Sequence, residues 1–160
     1  MALDMFMKLQ GIAGESADKT HKGEIEVLAW SWGASQSGTT HSGTGGGAGK
    51  VNVQDISFTK YVDKSSPTLF LNCANGKHIP SATLTVRKAG ENPLEYLKLD
   101  LTEILVSSIS TGGSGGEDRL TENVTLNFAK MKMTYTPQNV KGGGESPVIS
   151  GWDIPANVKL

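Results

Sequence analysis

The stretch Gly43 to Lys50 reads G-T-G-G-G-A-G-K, and successive glycine N–H groups leading to a lysine could wrap a phosphate. The spacing defeats that chemistry. A phosphate-binding P-loop needs a first glycine where Thr44 stands and a Ser or Thr where Val51 stands. The G-x-G-x-x-A match at Gly43 to Ala48 fails on context, because the segment after Lys50 reads as a strand and no helix N-terminus completes the anion site. His21, His41 and His78 lie far apart, none in a metal-like pair with Cys73, so surface or turn histidines are expected and no metal site is assigned. No Ser or Cys sits on a nucleophile elbow; Ser65 and Ser66 read as helix caps, leaving catalysis without residues and no cofactor implied. Asn123-Val124-Thr125 matches a glycosylation acceptor but falls inside an apolar-periodic strand, where chance explains it better.

Composition narrows the remaining classes. With 160 residues the chain has the size of a single domain, here 1–160, able to bury a core of its own. Fifteen Lys and Arg against sixteen Asp and Glu give a formal charge of -1, so no excess is available for nucleic acid or an anionic membrane. Cys73 is alone, which excludes an internal disulfide and fits a small buried filler in a protein made in a reducing cytoplasm. Met1 to Gln10 alternates apolar and polar residues and lacks the form of a secretory signal. No stretch approaches the roughly 20 apolar residues of a membrane span, so a soluble chain without membrane insertion is expected.

Several segments carry the period-2 pattern of strands with one buried face: Leu3, Met5, Met7 and Leu9; Ala82, Leu84 and Val86. From Glu95 to Thr111, Leu97, Leu99, Leu101, Leu105 and Ile109 share one face, opposite Lys98, Asp100, Thr102 and Ser108. Its second face also holds Tyr96, Ile104 and Val106, more apolar surface than water alone favours. Three strands change phase partway. Ile25 and Val27 give way to Leu28, Trp30 and Trp32; Val51 and Val53 to Ile56 and Phe58; Val124, Leu126 and Phe128 to Met131, Met133 and Tyr135. A one-residue shift sends every later side chain to the other face, so each change marks a bulge or corner. The pattern predicts a mainly β fold, a two-sheet barrel or sandwich.

The one helix signal runs from Ser65-Ser66-Pro67 to Asn75-Gly76, with a serine cap, proline at the first helical position and glycine past the end. Leu69, Phe70 and Cys73 would form its apolar stripe, enough to cover an open barrel edge. Gly33 to Lys50, Gly112 to Gly116 and Gly142 to Gly144 are glycine-rich connections, and the first exceeds the ~12–15 residues at which unstructured loops become unusual. A loop of that length suggests a functional role.

Longer strings carry a resemblance. Gly23-Glu24-Ile25-Glu26-Val27-Leu28-Ala29-Trp30-Ser31-Trp32-Gly33 and Phe58-Thr59-Lys60-Tyr61-Val62-Asp63-Lys64-Ser65-Ser66-Pro67 resemble the Hcp (haemolysin-coregulated protein) family of bacterial type VI secretion. Thr85 to Gly90, Val106-Ser107-Ser108, Glu117 to Lys130 and Gly151-Trp152-Asp153-Ile154 continue the likeness, which covers about Asp4 to Ile154 in order. The resemblance implies a β-barrel with one short α-helix that assembles into hexameric rings, which stack into the inner tube of the secretion machine and are expelled when its sheath contracts. It implies a bacterial cytoplasmic stage and then export without a signal peptide. Implied partners are further copies of the chain, the sheath, baseplate and spike proteins, and small effector proteins carried in the lumen.

Strand parity and loop length each add one expectation to that resemblance. If Trp30 and Trp32 enter the core, Ser31 faces outward, and in this family the exterior is partly channel wall, so Ser31 is expected to face cargo. The Gly33 to Lys50 connection, with Gln36, Thr39, Thr40, His41, Ser42 and Lys50, is expected to reach the next ring. The rival readings are an extracellular structural or adhesive β-sandwich and a hydrolase of unknown type.

Overall fold

In the computed structural model residues 3–38, 49–90 and 93–160 are described. Alternating apolar residues build strands β1 (Leu3–Leu9), β2 (Ile25–Ser31), β5 (Ile56–Tyr61), β6 (Ile79–Lys88), β7 (Glu95–Thr111) and β8 (Thr121–Tyr135). They pair antiparallel in the order β8-β5-β2-β1-β6-β7, and β7 returns to β8, so the sheet closes into a barrel. Strands β9 (Val148–Asp153) and β10 (Val158–Lys159) hang from the half of β8 that β5 leaves free. Short strands β3 (Ala34–Ser35) and β4 (Asn52–Val53) form a separate two-stranded ribbon at the base of the long connection.

Met7, Ile25, Ile56, Phe58, Leu84, Leu99, Leu101, Ile104, Leu126 and Met131 meet in one core. The expected phase changes are present in β2 and β8, but Val53 and Ile56 belong to two separate strands, β4 and β5, in different sheets rather than to one bent strand, and β7 needs a correction as well. Leu99 and Leu101 point inward, Thr102 and Glu103 outward, and then Ile104 and Val106 take the core positions assigned on sequence to Leu105. Glu103 makes the switch with φ 54°, a left-handed conformation uncommon outside glycine. At the same level β8 passes from Phe128 to Met131, with Ile104 opposite Phe128 and Leu101 opposite Met131. In β2 the register shifts between Val27 and Ala29; Trp30 and Trp32 pack on the core, but Leu28 is 36% exposed rather than inward.

Helix α1 (Ser66–Asn75) joins β5 to β6 across one end of the barrel and ends at Gly76 in the left-handed conformation. Leu69 is fully buried and Cys73 packs on the core, whereas Phe70, predicted inward, stands 64% exposed. Ser65 occupies the N-cap position without capping through its side chain; its hydroxyl donates to Asp63 Oδ1 at 2.5 Å. The helix start is held instead by charge. Lys60 and Glu122, directly opposed on β5 and β8, both point inward and pair with each other. Lys60 Nζ also lies 3.1 Å from Asp63 Oδ1 and donates to Ser66 Oγ and the Tyr61 carbonyl, while Ser66 Oγ donates to Glu122 at 2.5 Å.

A buried pair with satisfied hydrogen bonds is costly to break from one side, because the remaining charge is stranded. Lys60→Met or Glu122→Gln should each lower unfolding free energy by about 3–5 kcal/mol, and the double Lys60→Met, Glu122→Leu variant should regain most of it. Urea denaturation reads this out; single variants within about 1 kcal/mol of the parent would show that the pair does not hold the helix.

Candidate functional site

Ser31 lies at the end of β2 on the barrel exterior, as parity requires, and it is exposed. Antiparallel partners share a face, and tracing the register outward from Ser31 gives a row: Ser57 on β5, Thr125 on β8 and Ser108 on β7. A second row holds Ala29, Thr59, Asn123 and Ser110. Ser57 Oγ and Thr125 Oγ1 lie 3.2 Å apart, and Thr59 Oγ1 donates to Asn123 Oδ1 at 2.6 Å. These rows make a wall of short hydroxyl and amide side chains with no fixed charge. It offers hydrogen bonds that rearrange readily and no ionic anchor. Sequence alone singles out Ser31; the others alternate with Ile56, Phe58, Val124 and Leu126, and that parity marks them as outward.

Of the residues expected to make ring-stacking contacts, Gln36 and Lys50 are exposed beside the β3–β4 ribbon. Thr39, Thr40, His41 and Ser42 lie outside the described residues, as does the glycine-rich stretch up to Ala48. Between this ribbon and the β9–β10 flap opens a cleft of about 640 Å³, which sequence reading missed because its walls come from distant segments.

The histidine reading needs correcting. His21 is buried, stacked on Phe6 with ring centroids 4.5 Å apart, and its Nδ1 and Nε2 lie 2.8 Å from Glu24 Oε2 and 2.6 Å from Glu95 Oε1. The Arg87 guanidinium lies over the Phe6 ring, 5.0 Å from its centroid, and pairs with Asp18 and Asp4. Phe6 points away from the core, on the exterior of β1, so the segment between β1 and β2 lies over the barrel wall and fastens there through Asp18 and His21. His78 is exposed.

These carboxylates titrate unusually. Asp18 is held down to about 2, first by the hydrogen bond from Arg87, against opposing desolvation, with the N–H groups of Thr20 and His21 adding to the effect. Burial raises Glu95, but hydrogen bonds from His21 and Lys98 outweigh it and leave the group below its ordinary value.

Comparison with known proteins places this geometry. The profile of the family described as type VI secretion system effector, Hcp, matches residues 6–135. The chain is 64% identical to protein hcp1 of Pseudomonas aeruginosa, covering 99% of both chains. It superposes on the crystal structure of Hcp1 from Salmonella typhimurium with a TM-score of 0.84 at 45% identity, over 100% of each chain. A solved type six secretion system protein gives a TM-score of 0.94 at 31% identity, over 99% of this chain and 100% of that one.

The Asp18 clamp makes a pH prediction. A carboxylate whose folded pKa lies below its unfolded value of about 3.9 stabilises the fold fully above that value and loses its contribution as pH falls through the folded pKa. Asp18→Asn should therefore be less stable than the parent near neutrality, and the gap should close as pH falls to about 2. Denaturant midpoints across that range measure it; a gap that stays constant with pH would show that the Asp18 charge contributes nothing.

Proposed function

The chain belongs to the Hcp family of type VI secretion, and from that membership we propose that it is the tube subunit of such a machine, closing into six-membered rings that stack and are expelled by sheath contraction. The observation that carries the reading beyond family likeness is the uncharged hydroxyl wall around Ser31. A channel that passes many different cargoes needs a polar lining without strong ionic anchors, and the rows from Ser31 to Ser108 and from Ala29 to Ser110 supply one. Small effector proteins would rest against it in transit. The sheath contacts the outside of the tube, and baseplate and spike proteins meet its ends. No helix among the described residues is long and apolar enough to cross a membrane. Export would proceed by the contractile route from the cytoplasm. The role is structural, and the adhesive-sandwich rival has no support from a likeness that spans the chain.

Native mass spectrometry of the purified protein should show six copies, and a clean monomer at micromolar concentration would overturn the ring. Ser31→Gln lengthens a side chain on the wall without touching the tryptophans, so rings should form normally while co-purified effector falls. Equal effector in variant and parent rings would remove Ser31 from the cargo surface; disrupted rings would show the serine to be packed. Deleting Ser42 to Gly47 should leave rings intact and abolish stacking and secretion, an expectation refuted by export at the parental level.

A further inference from the structure

Asparagine followed by glycine is the residue pair most open to a rearrangement that needs only water. The glycine nitrogen bonds to the asparagine Cγ, the side-chain nitrogen leaves as ammonia with the proton of the glycine N–H, and a five-membered succinimide remains. Water then adds across one of its two C–N bonds and yields aspartate; across the other it yields isoaspartate. Glycine favours the first step because it has no Cβ to block the approach. Asn75-Gly76 is the one such pair in the chain, whereas Asn52, Asn123, Asn139 and Asn157 all precede valine, whose branched side chain crowds the attacking nitrogen.

The fold places a gate on this pair. Asn75 is the last residue of α1, and Gly76 follows with φ 69° and ψ 21°, both residues exposed. A Cβ at position 76 would meet nothing within 4 Å, so glycine stands there for the left-handed backbone that ends the helix. In that conformation the attacking group is occupied, because the Gly76 N–H donates to the Asn72 carbonyl at 3.0 Å. The target is held as well. Asn75 Oδ1 accepts from the Lys77 N–H at 2.9 Å, and closing the five-membered ring requires Asn75 to leave its helical dihedrals. The chemistry therefore waits on opening of the last turn.

That turn is lightly held. Its inward anchors are Asn72 and Cys73, and Ala74, Asn75 and Gly76 beyond them are exposed. No basic side chain lies within it to offset the negative end of the helix, Lys77 standing beyond Gly76. Segments with few buried contacts open at small cost. The products also oppose reclosure. Either carboxylate adds negative charge at the negative end of the helix, and isoaspartate inserts a methylene into the backbone between Asn72 and Gly76. The helix affected is the one that crosses the barrel end with Leu69 fully buried beneath it.

We infer that Asn75 is a covalent modification site gated by the Gly76–Asn72 bond, at which water converts asparagine to aspartate and isoaspartate and so permanently marks copies whose helix end has opened. This chemistry belongs to the single chain and does not depend on rings or tubes forming. To test it, the purified chain is kept in warm, mildly alkaline buffer, folded in one sample and in concentrated guanidinium in another. The tryptic peptide from Ser65 to Lys77 is followed by mass spectrometry, and its fragment ions place the mass gain of OH replacing NH2 at Asn75 rather than Asn72. The folded chain should convert measurably, but about tenfold more slowly than the denatured one, the protection expected of a backbone hydrogen bond. Ala74→Gly weakens the last turn at an exposed position, so conversion of the folded chain should rise about fivefold while the rate in guanidinium stays that of the parent. Equal rates in the two solvents would overturn the inference. So would Asn75 still intact in the folded chain after about a hundred denatured half-lives, or folded Ala74→Gly reacting no faster than the parent.

Discussion

Closing one antiparallel sheet on itself requires its longest strands to change face without leaving the core, and the rest of this molecule depends on how they do so. β7 and β8 make the change together, at Glu103 and between Phe128 and Met131, so that paired positions above and below the bend still point into one interior. A switch in one strand alone would set polar side chains against the core of its partner. With both strands bent at the same level, β8 has room to pair with β5 along its first half and with β9 along its second.

That division separates the candidate channel wall from the tryptophan cleft. Where β8 pairs with β5, the outward positions join those of β2 and β7 into the hydroxyl rows of the proposed channel wall. Where β8 pairs with β9, the flap stands away from the β3–β4 ribbon and leaves the tryptophan cleft between them. Closure consumes the backbone edges of the barrel strands, so the proposed ring would have to use side-chain surfaces and the short outer elements. Two charged clusters hold the coverings in place. Lys60, Asp63, Ser66 and Glu122 fix the start of α1 at one end, and Asp4, Asp18, His21, Arg87 and Glu95 fasten the segment between β1 and β2 over the wall.

The sequence by itself determined most of the barrel strands, the phase changes in β2 and β8, the single helix and the outward direction of Ser31, because period-2 alternation and Pro and Gly punctuation are local signals, whereas the switch of β7 at Glu103 and the short outer strands β3, β9 and β10 left no such pattern. It also carried the family likeness in long ordered strings. Tertiary structure alone decided which inward positions are charged: Lys60 and Glu122 continue the core parity of Phe58 and Val124, yet only their register across β5 and β8 makes two buried charges tolerable. His21 has the local sequence of a turn residue, and its burial depends on Phe6, Glu24 and Glu95 being brought around it from separate segments. Phe70 fits a helical stripe, but the angle at which α1 crosses the barrel end turns Leu69 and Cys73 inward and leaves Phe70 outside. The cleft, assembled from Trp32, Val53, Met133 and Trp152, has no local signature, since its shape depends on how far two ribbons stand apart, a distance set by closure of the whole sheet.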